Sequence, residues 1–462
     1  MNKQIYKEDY NKNTLHIGFD DTDSTLGRCT THLAYTIVDI LIKKFKVSFI
    51  DFPLLIRLNP NIPIKTRGNG AVCLRIKGKD YEKIKEEILY FIESYSDLEN
   101  SANPGLAFYE KNNIANDLIS FSNSAMDTVL SKQLAEKTAN KNGIQYHLFG
   151  KGYGLVGALS AIGCRLNYDH TFETIAYRKK ENTGTERKIE VKSVKILNEE
   201  SFPNTFNNFD YKKNRILIAP HGPDPVFCGI RGENPLITTS FIKNLRINED
   251  LDGYMVFRSN QGTNLHLTNE RKISDILPFT SGHINCQVLT KPQVLNGGHV
   301  IFNVKDNFKD MIPVAVYKPT GLTKIARFLE IGDKVEIGYG VHFKSNSIKT
   351  LNLEYLLVKE LKEVFEFKNP ICNKCGKTTK SEGKNKGFQC PSCKTKNKNI
   401  VKSKIKKNRN LNCGLYIPDP IAHRHLTKPF FRYGKEKKYD KKNISDLLKD
   451  IKWISKNSGG LI

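Results

Sequence analysis

The spacing of apolar residues near the start of the chain changes close to residue 30. Residues 15–19 are rich in strand-forming side chains, and this run predicts a short buried strand. From there the apolar positions recur at helical spacing, with Leu33, Ile37 and Leu41 on one face, which predicts a helix with Thr30 as its N-cap. A strand, a polar loop and a helix in this order indicate an α/β arrangement, in which ligands bind beyond the carboxyl ends of strands.

Later segments continue this mixture of strands and helices. Short apolar runs predict further strands at residues 54–58, 71–76, 174–177 and 216–219. A helix is expected at 155–162, and Gly152, Gly154 and Gly157 around its start have the spacing of a dinucleotide fingerprint. That fingerprint needs an acid at the end of the next strand, whereas Glu173 stands at the start of one. We therefore expect these glycines to let the helix begin close to a neighbouring backbone or an RNA phosphate.

The pattern between residues 281 and 365 predicts a small β-barrel. Strands are expected at 283–289, 299–304, 312–317, 334–337 and 350–358. Gly297 and Gly298 predict a hairpin turn, and residues 322–329 have helical spacing between the third and fourth strands. Five strands with a helix in this position are typical of an OB-fold, and a small SH3-like barrel would share much of the pattern.

Four cysteines after the barrel have the spacing of a zinc ribbon. They are Cys372, Cys375, Cys390 and Cys393, two pairs that a β-hairpin can bring together around one Zn²⁺ ion. Redox-active pairs are the alternative, but they do not explain two pairs at ribbon spacing. Residues 368–418 contain fourteen Lys or Arg and a single acid, Glu382, so nucleic-acid contact is expected beside the ribbon.

Composition narrows the class of protein. The 462 residues include 73 Lys or Arg against 48 acids, a net charge of +25, which favours a polyanionic partner. No apolar run approaches the roughly 18 residues of a membrane span, and residues 1–14 lack the apolar centre of a signal peptide. A cytoplasmic protein without membrane contact is therefore expected. The ten cysteines do not form a secreted disulfide pattern, and the six outside the ribbon are expected to be thiols.

Three carboxylates follow the first predicted strand. Asp20, Asp21 and Asp23 offer the hard oxygen ligands that suit Mg²⁺, an ion that often shares its coordination shell with nucleotide phosphates. Thr30 and Thr31 place hydroxyls beside the expected phosphate, which they could bind or accept, and the helix N-terminus favours the same anion. An Asp-rich turn before an ordinary cap is the alternative, but three carboxylates after a strand favour a metal and phosphate site.

Two loops rich in Gly and Pro add polar groups. The loop at 57–70 brings Arg57, Lys65 and Arg67 together with Gly68 and Asn69, a set that could wrap a triphosphate, although a plain exposed hairpin is an alternative. The loop at 220–233 follows a predicted strand and is also expected to line a cleft.

The chain resembles the family of archaeal tRNA-isoleucine agmatinylcytidine synthetases over about residues 15–432. The segments that carry the resemblance are Gly18, 20–24, Gly27, 29–31, 57–72, 154–158, 175–178, 184–187, 229–233, the ribbon and 425–429. The resemblance implies an α+β multidomain protein with a kinase-like ATP-binding domain at 1–135, a ferredoxin-like domain at 136–278, an OB-fold at 279–366, a zinc ribbon at 367–400 and a basic C-terminal segment at 401–462.

The resemblance also implies a reaction. Agmatine is attached to the wobble cytidine of the CAU anticodon after phosphorylation of the 2-carbonyl oxygen, with ATP cleaved to AMP. It assigns metal and catalytic roles to Asp20, Asp21 and Asp23, and phosphorylation to Thr30. Further ATP ligands are expected at Thr22, Ser24, Thr31, Arg57, Lys65, Arg67, Gly68 and Asn69. A carboxylate partner for the agmatine guanidinium is sought among Asp210, Asp224 and Glu233.

Two other functions compete with this interpretation. An acidic Asp-Thr-Asp motif after a strand also begins aspartyl-phosphate phosphohydrolases, in which Asp21 would carry the phosphate. A non-catalytic RNA-binding protein built around the barrel and the ribbon would leave the carboxylates unexplained. The C-terminal residues 444–454 have roughly helical spacing, so they are expected to pack as a helix.

Overall fold

The computed structural model describes residues 11–63, 65, 68–342 and 349–457. Arg67, one of the predicted ATP ligands, lies outside these ranges. The described chain is a mixed α+β protein with a large sheet, a closed β-barrel and a small ribbon that carries four cysteines. Within these ranges, no helix combines the length and the apolar character that a bilayer span requires.

The large sheet is built from two consecutive parts of the chain. The first part contains β1 (Leu15–Asp20), α1 (Thr30–Lys43), β2 (Ser48–Phe49), β3 (Leu54–Arg57), β4 (Gly70–Lys77), α2 (Tyr81–Tyr95), β5 (Gly105–Glu110), α3 (Asn116–Asp127), α4 (Lys132–Lys141), β6 (Gln145–Leu148) and α5 (Gly154–Gly163). The second contains β7 (Thr171–Arg178), α6 (Val191–Ser201), β8 (Thr205–Phe206), β9 (Phe209–Asp210), β10 (Arg215–Ile216), β11 (Val226–Gly232), α7 (Pro235–Asn244) and β12 (Leu251–Ser259).

One continuous sheet joins the two parts in the order β6-β5-β1-β4-β3-β12-β7-β11-β8. The junction is the parallel pair β3 and β12. Alternate residues of β3 and β4 enter two cores, because side chains on a strand point to opposite faces. Leu55 and Val72 join the core under α1 and α2, whereas Leu54 and Cys73 join the core under α3 and α5.

The predicted five-stranded barrel is confirmed. Its five strands are β13 (Ser281–Val288), β15 (Val300–Lys305), β16 (Met311–Val316), β17 (Lys334–His342) and β18 (Thr350–Glu360), and its helix is α8 (Thr323–Ala326). The two-residue strand β14 (Gln293–Val294) forms a hairpin with β15. Pairing of β13 with both β17 and β15 closes the barrel. The helix lies between the third and fourth barrel strands, as expected, but it has a single turn.

The remaining residues form short strands and one helix. They are β19 (Phe365–Lys368), β20 (Lys380–Ser381), β21 (Phe388–Gln389), β22 (Lys396–Asn397), β23 (Ser403–Lys406), β24 (Gly414–Tyr416), α9 (Lys441–Asp450) and β25 (Ile454–Lys456). The C-terminal helix is thus present, and it begins and ends a few residues earlier than the predicted 444–454. Beyond it β25 adds to β12, and Ile444, Ile451 and Trp453 enter the core under α1.

Two local predictions are wrong. Thr30 is the first residue of α1, and its N-cap is Cys29, which makes no side-chain cap hydrogen bond. The strand expected at 216–219 ends at Ile216. The next backbone groups are divided between two partners: Leu217 N donates to Asn208 O, and Ile218 O accepts from Gly229 N. Because no single neighbouring segment pairs with consecutive residues of this run, the β-ladder does not extend beyond Ile216.

Candidate active site

A cleft of about 1230 Å³ lies along one edge of the large sheet. The strands β1, β3, β12 and β11 run in one direction, so their carboxyl ends reach this edge. Strand β7 runs the opposite way and therefore brings its first residues there. The sheet direction alone gathers Asp20, Arg57, Glu173 and Arg231 from four separated segments into one cleft.

The three predicted metal-binding carboxylates all line this cleft. Asp21 has a φ of 61°, a left-handed conformation that Asp tolerates, and its N–H donates to Asp20 Oδ1 at 2.8 Å. Burial, followed by the charges of Asp21 and Asp23, raises the pKa of Asp20 well above its usual range. Such a group of acids suits a hard divalent cation, which would offset their mutual repulsion.

Helix α5 begins directly against Asp20. A Cβ atom on Gly154 would lie 2.4 Å from Asp20 O, and one on Gly157 would lie 1.9 Å from Asp20 Oδ2. Only glycine allows an approach this close. The glycines thus bring a helix start close to a neighbouring backbone, as expected.

Hydroxyl groups surround the carboxylates at the start of α1. Thr22 Oγ1 donates to Thr30 Oγ1 at 3.0 Å, and Thr30 Oγ1 donates to Asp23 Oδ1 at 3.5 Å. Thr31 also lines the cleft, and its carbonyl accepts from Tyr177 Oη at 2.9 Å.

Ser24, in contrast, forms hydrogen bonds to residues that do not line the cleft. Its hydroxyl donates to Asp97 Oδ2 and accepts from the N–H of Leu26, while its own N–H donates to Gly27 O at 3.1 Å. Ser24 is not among the described residues that line the cleft. Thr22 is also buried and outside this lining, and its hydroxyl is connected to the cleft through its hydrogen bond to Thr30.

The glycine-rich loop forms the opposite, basic wall. Arg57, Lys65, Gly68 and Asn69 all line the cleft. Arg57 Nη1 donates to Gly68 O at 3.4 Å, whereas its Nε is buried without a hydrogen-bond partner among the described residues. Lys65 donates to Pro60 O, and Asn69 donates to Asn59 O at 3.0 Å. These bonds anchor the described residues of the loop beside the cleft.

Glu173 and His425 are cleft residues that the sequence interpretation did not assign. Glu173 Oε1 lies 3.1 Å from Arg231 Nε, and its Oε2 lies 3.7 Å from Arg57 Nη2. His425 Nδ1 lies 2.9 Å from Arg231 Nη2. Burial and the charges of Arg57 and Arg231 lower the pKa of His425 well below its usual range, so this imidazole is neutral at neutral pH.

Of the three carboxylates considered for agmatine, the cleft contains Asp224. Its Oδ1 lies 3.3 Å from Arg187 Nη2 and accepts from Val226 N at 3.0 Å. Asp210 lies elsewhere, where it accepts from the N–H groups of a turn.

Glu233 also lies outside the cleft lining, within the described residues. It forms an ion pair with the buried guanidinium of Arg432 and lies 3.3 Å from Lys437 Nζ. These contacts join β11 to the C-terminal segment.

The four predicted zinc ligands form a separate cluster. All four Sγ atoms lie within 4.8 Å of one another. Cys372 and Cys393 are 3.6 Å apart at their Sγ atoms, and Cys375 and Cys390 are 3.3 Å apart. Four sulfurs bound tetrahedrally at about 2.3 Å would be separated by about 3.8 Å, so the cluster fits one Zn²⁺ ion. A closed four-sulfur site is structural, because it leaves no coordination position for a substrate.

Comparison with known proteins gives three family models that follow one another along the chain. Residues 16–151 match the TiaS TCKD domain, residues 152–266 the TiaS FLD domain and residues 369–411 the TiaS C-terminal zinc ribbon domain. The first two together contain the strands that form the cleft, and the third contains the four cysteines.

Relatives extend this likeness to nearly the whole chain. The isoleucine-tRNA 2-agmatinylcytidine synthetase TiaS of Cenarchaeum symbiosum is 40% identical over 422 residues, which cover 91% of this chain and 93% of the relative. The solved complex of TiaS with its isoleucine tRNA and ATP matches with a TM-score of 0.81 at 34% identity, and the complex with the tRNA, AMPCPP and agmatine with 0.78 at 32%. Both structural matches cover 91% of this chain and 97% of the solved chain. The chain therefore belongs to the TiaS family of isoleucine-tRNA 2-agmatinylcytidine synthetases.

Proposed function

We propose that this protein is an ATP-dependent ligase that attaches agmatine to C2 of the wobble cytidine of the CAU-anticodon isoleucine tRNA, yielding 2-agmatinylcytidine and AMP. The modified tRNA would then decode AUA. The observation that carries the proposal is a single cleft in which three clustered carboxylates face the cations of a glycine-rich loop. Family membership supports it, since a solved relative binds its isoleucine tRNA, an ATP analogue and agmatine.

In this proposal the cleft holds ATP between its acidic and basic walls. Asp20, Asp21 and Asp23 would hold Mg²⁺, which when bound neutralises phosphate charge. The basic wall would bind the phosphates through Arg57 and Lys65. The other proposed ATP ligands are Thr22, Ser24, Thr31, Arg67, Gly68 and Asn69. Thr22 and Ser24 would act through the loop that they hold, since their hydroxyls bond to Thr30 and Asp97.

Thr30 is the proposed phosphoryl acceptor. Its hydroxyl points toward Asp23 Oδ1, so the carboxylate can take the proton as Oγ1 forms a bond to a phosphorus atom of ATP and the phosphoanhydride bond at that phosphorus breaks. The hydrogen bond from Thr22 fixes the orientation of this hydroxyl. Because Thr30 opens α1, the N–H groups of the first helical turn would stabilise the added phosphate.

The wobble cytidine must leave its stack to enter the cleft, at a cost of a few kcal/mol. Its 2-carbonyl oxygen is a poor leaving group until it carries a phosphoryl group. The agmatine amine then attacks C2, the C–O bond breaks and phosphate departs with that oxygen. Asp224 is the proposed partner of the agmatine guanidinium, because it is the one of the three candidate carboxylates that lines the cleft and it is separate from the metal-binding acids.

We propose a kinase-like domain within residues 1–135, a ferredoxin-like domain within 136–278 and an OB-fold for the barrel within 279–366. The zinc ribbon at 367–400 and the basic segment at 401–462 would hold the rest of the tRNA. Their excess of lysine favours contact with phosphates, which would offset the cost of extruding the base.

The decisive experiment supplies ATP, Mg²⁺ and radiolabelled agmatine to the protein with a CAU-anticodon isoleucine tRNA, and uses methionine tRNA, which shares the anticodon, as the control. Label is expected in the isoleucine tRNA alone. A folded protein that binds both tRNAs and labels neither contradicts the proposal and favours a non-catalytic RNA-binding protein.

The Asp21→Ala variant tests the metal site within the same assay. Modification should fall at least about a hundredfold, because a bound cation stabilises the charge that develops in the transition state by several kcal/mol. Binding of tRNA should stay nearly unchanged. The matched control is Asp39→Ala, which removes a carboxylate on α1 that pairs with Lys43 outside the cleft.

A labelling experiment on the wild-type protein tests the phosphohydrolase alternative. With γ-labelled ATP, phosphate on Asp21 instead of Thr30 would favour a phosphohydrolase.

A further inference from the structure

A second cavity of about 630 Å³ lies apart from the cleft. Its walls come from the end of α6, the turns around β8 and β9, the helix α8 and the residues 415–431, which we call the C-terminal strap. Among the described residues the two cavities share no lining residue. His423 of the strap lines the second cavity and His425 lines the cleft. Because these residues are two positions apart, their Cα atoms are at most about 7 Å apart.

Aromatic rings surround this second cavity, which we call the aromatic cavity. Phe202 and Phe430 are 60% and 63% exposed, and Tyr211 is 53% exposed. Phe431 lies deeper and packs edge-on against Phe202, with ring centroids 5.3 Å apart. Rings this exposed on a cavity rim offer flat faces on which a planar heterocycle can stack.

Amide side chains complete the wall. Asn208 is 1% exposed, and its Nδ2 donates to Thr205 Oγ1 at 2.8 Å and to Asn198 Oδ1 at 3.1 Å. Its Oδ1 is buried without a hydrogen-bond partner among the described residues. An unpaired buried acceptor destabilises the free protein, so a ligand that supplies an N–H donor gains affinity there.

The charge at the cavity is positive. Within the described chain, Asp419 is the one acid that lines it, and this carboxylate pairs with Lys212 at 2.6 Å. Lys324 also lines it and forms no ion pair with any described residue. Burial lowers the pKa of His423, so this side chain adds no charge at neutral pH. An anionic group such as a phosphate would therefore lie favourably at this rim.

From stacking faces, an unpaired acceptor and excess positive charge, we infer that the aromatic cavity binds an unpaired nucleotide of the tRNA other than the wobble cytidine. The base would carry an exocyclic amino group that donates to the amide wall. This inference rests on the proposed function, because that function brings a tRNA to the adjacent cleft. Since His423 and His425 are two residues apart on the strap and line different cavities, one bound RNA can reach both.

Two single variants test the inference on the full-length protein. Phe202→Ala and Phe430→Ala remove exposed rings without opening a core. Each should weaken the binding of fluorescein-labelled tRNA about tenfold, the effect of losing one base stack. The dissociation constant for ATP and the Tm should be unchanged. The matched control is Tyr90→Ala, an aromatic residue 64% exposed on α2 that lines neither cavity.

Ultraviolet crosslinking identifies the contact directly. A nucleotide adduct on the peptide that contains Phe202 and Tyr211 supports the inference. Wild-type tRNA affinity in both variants, or crosslinks confined to cleft peptides, overturns it. These readouts require tRNA binding but no agmatine transfer, so failure of the proposed reaction is seen separately, as a protein that binds tRNA without modifying it.

A free nucleotide would present the same base and phosphate to the aromatic cavity as a tRNA nucleotide, and a separate experiment distinguishes the two. Equilibrium dialysis with labelled AMP and CMP, at saturating ATP analogue in the cleft, measures any second site. No additional binding is expected at micromolar concentration, because the backbone contacts of a polynucleotide are missing. A stoichiometric second site that Phe202→Ala abolishes would overturn the assignment to tRNA and make the cavity a free-nucleotide site.

Discussion

Asp20 meets the start of α5 with no space between them for a side chain. The Cβ of Gly157→Ala would fall 1.9 Å from Asp20 Oδ2, so the carboxylate or the helix must shift. A displacement of about 1 Å at a reacting group lowers a rate about a hundredfold. We expect modification to fall by this factor while the far-ultraviolet circular dichroism stays unchanged.

Gly27→Ala, in the loop between β1 and α1, provides the matched control. The nearest atom to its added Cβ is 3.9 Å away, an ordinary contact, and its φ is not positive. Activity of this variant should be close to that of the wild type. Equal losses in the two variants would show that an added methyl group lowers activity at either glycine and would remove the special role given to the contact with Asp20.

Asp224→Asn tests the proposed guanidinium partner. The amide keeps the size of the side chain and can still accept from Val226 N, but it carries no charge. The KM for agmatine should rise at least about tenfold, since a charged hydrogen bond contributes about 1.5–3 kcal/mol, and the KM for ATP should change little. Glu233→Gln, which alters a carboxylate outside the cleft lining, is the control. A rise in the KM for ATP alone would reject the assignment.

The sequence predicted the acidic side of the cleft better than its centre. Asp20, Asp21 and Asp23 are neighbours in the chain, so their clustering needs no knowledge of the fold. The position of Glu173 at the start of a strand argues against a dinucleotide site and does not predict a cleft residue, because only the antiparallel direction of β7 brings that start to the carboxyl edge of β1. His425 comes from a segment 194 residues after Arg231, its hydrogen-bond partner, and no local pattern reveals such a contact.

At the scale of elements, the strands of the barrel were predicted and the loop after β10 was not. The reason is again that contacts between distant segments are not visible in the local sequence. Strands with partners on both sides were predicted in place, although the range 334–337 covers only the first part of β17. The run at 216–219 has the right composition, but its neighbours belong to different segments and no ladder forms. Composition can predict the tendency of a segment to form a strand, whereas the available partner decides the outcome.

The ribbon strands β20, β21 and β22 have two residues each and bury few apolar side chains. Zinc binding must therefore supply most of their folding free energy. Cys372→Ser, or chelation, should release zinc and weaken tRNA binding before ATP cleavage is affected. Mass spectrometry under native conditions measures the zinc content. Unchanged zinc in the variant would disprove the four-cysteine site, and an unchanged Tm of the large sheet is the internal control.

At the scale of the whole molecule, buried histidines link stability to pH. Burial lowers the pKa of His16, His32 and His170 to about 3 in each case, against an ordinary value of 6.5. Between these values the unfolded chain binds more protons than the folded one. The free energy of unfolding should therefore fall as the pH decreases below 6.5, by up to about 1.4 kcal/mol per pH unit for each histidine.

Urea titrations between pH 7.5 and 4.5 measure this dependence. In His32→Asn the slope should be smaller by the contribution of one proton, and the comparison separates the histidine from carboxylates that titrate in the same range. An identical slope in the variant and the wild type would mean that His32 is protonated in the folded protein.

The last described strand, β25, and Trp453 complete the core that β1 begins. Trp453 packs against Phe49 and Phe52, with centroid distances of 5.2 and 6.2 Å, and β25 extends the sheet beside β12. A ribosome must therefore have synthesised the chain as far as Lys456 before that core can close. Truncated translation products would lack it and expose apolar surface to proteases, so every stable molecule carries its barrel and ribbon as well as its cleft.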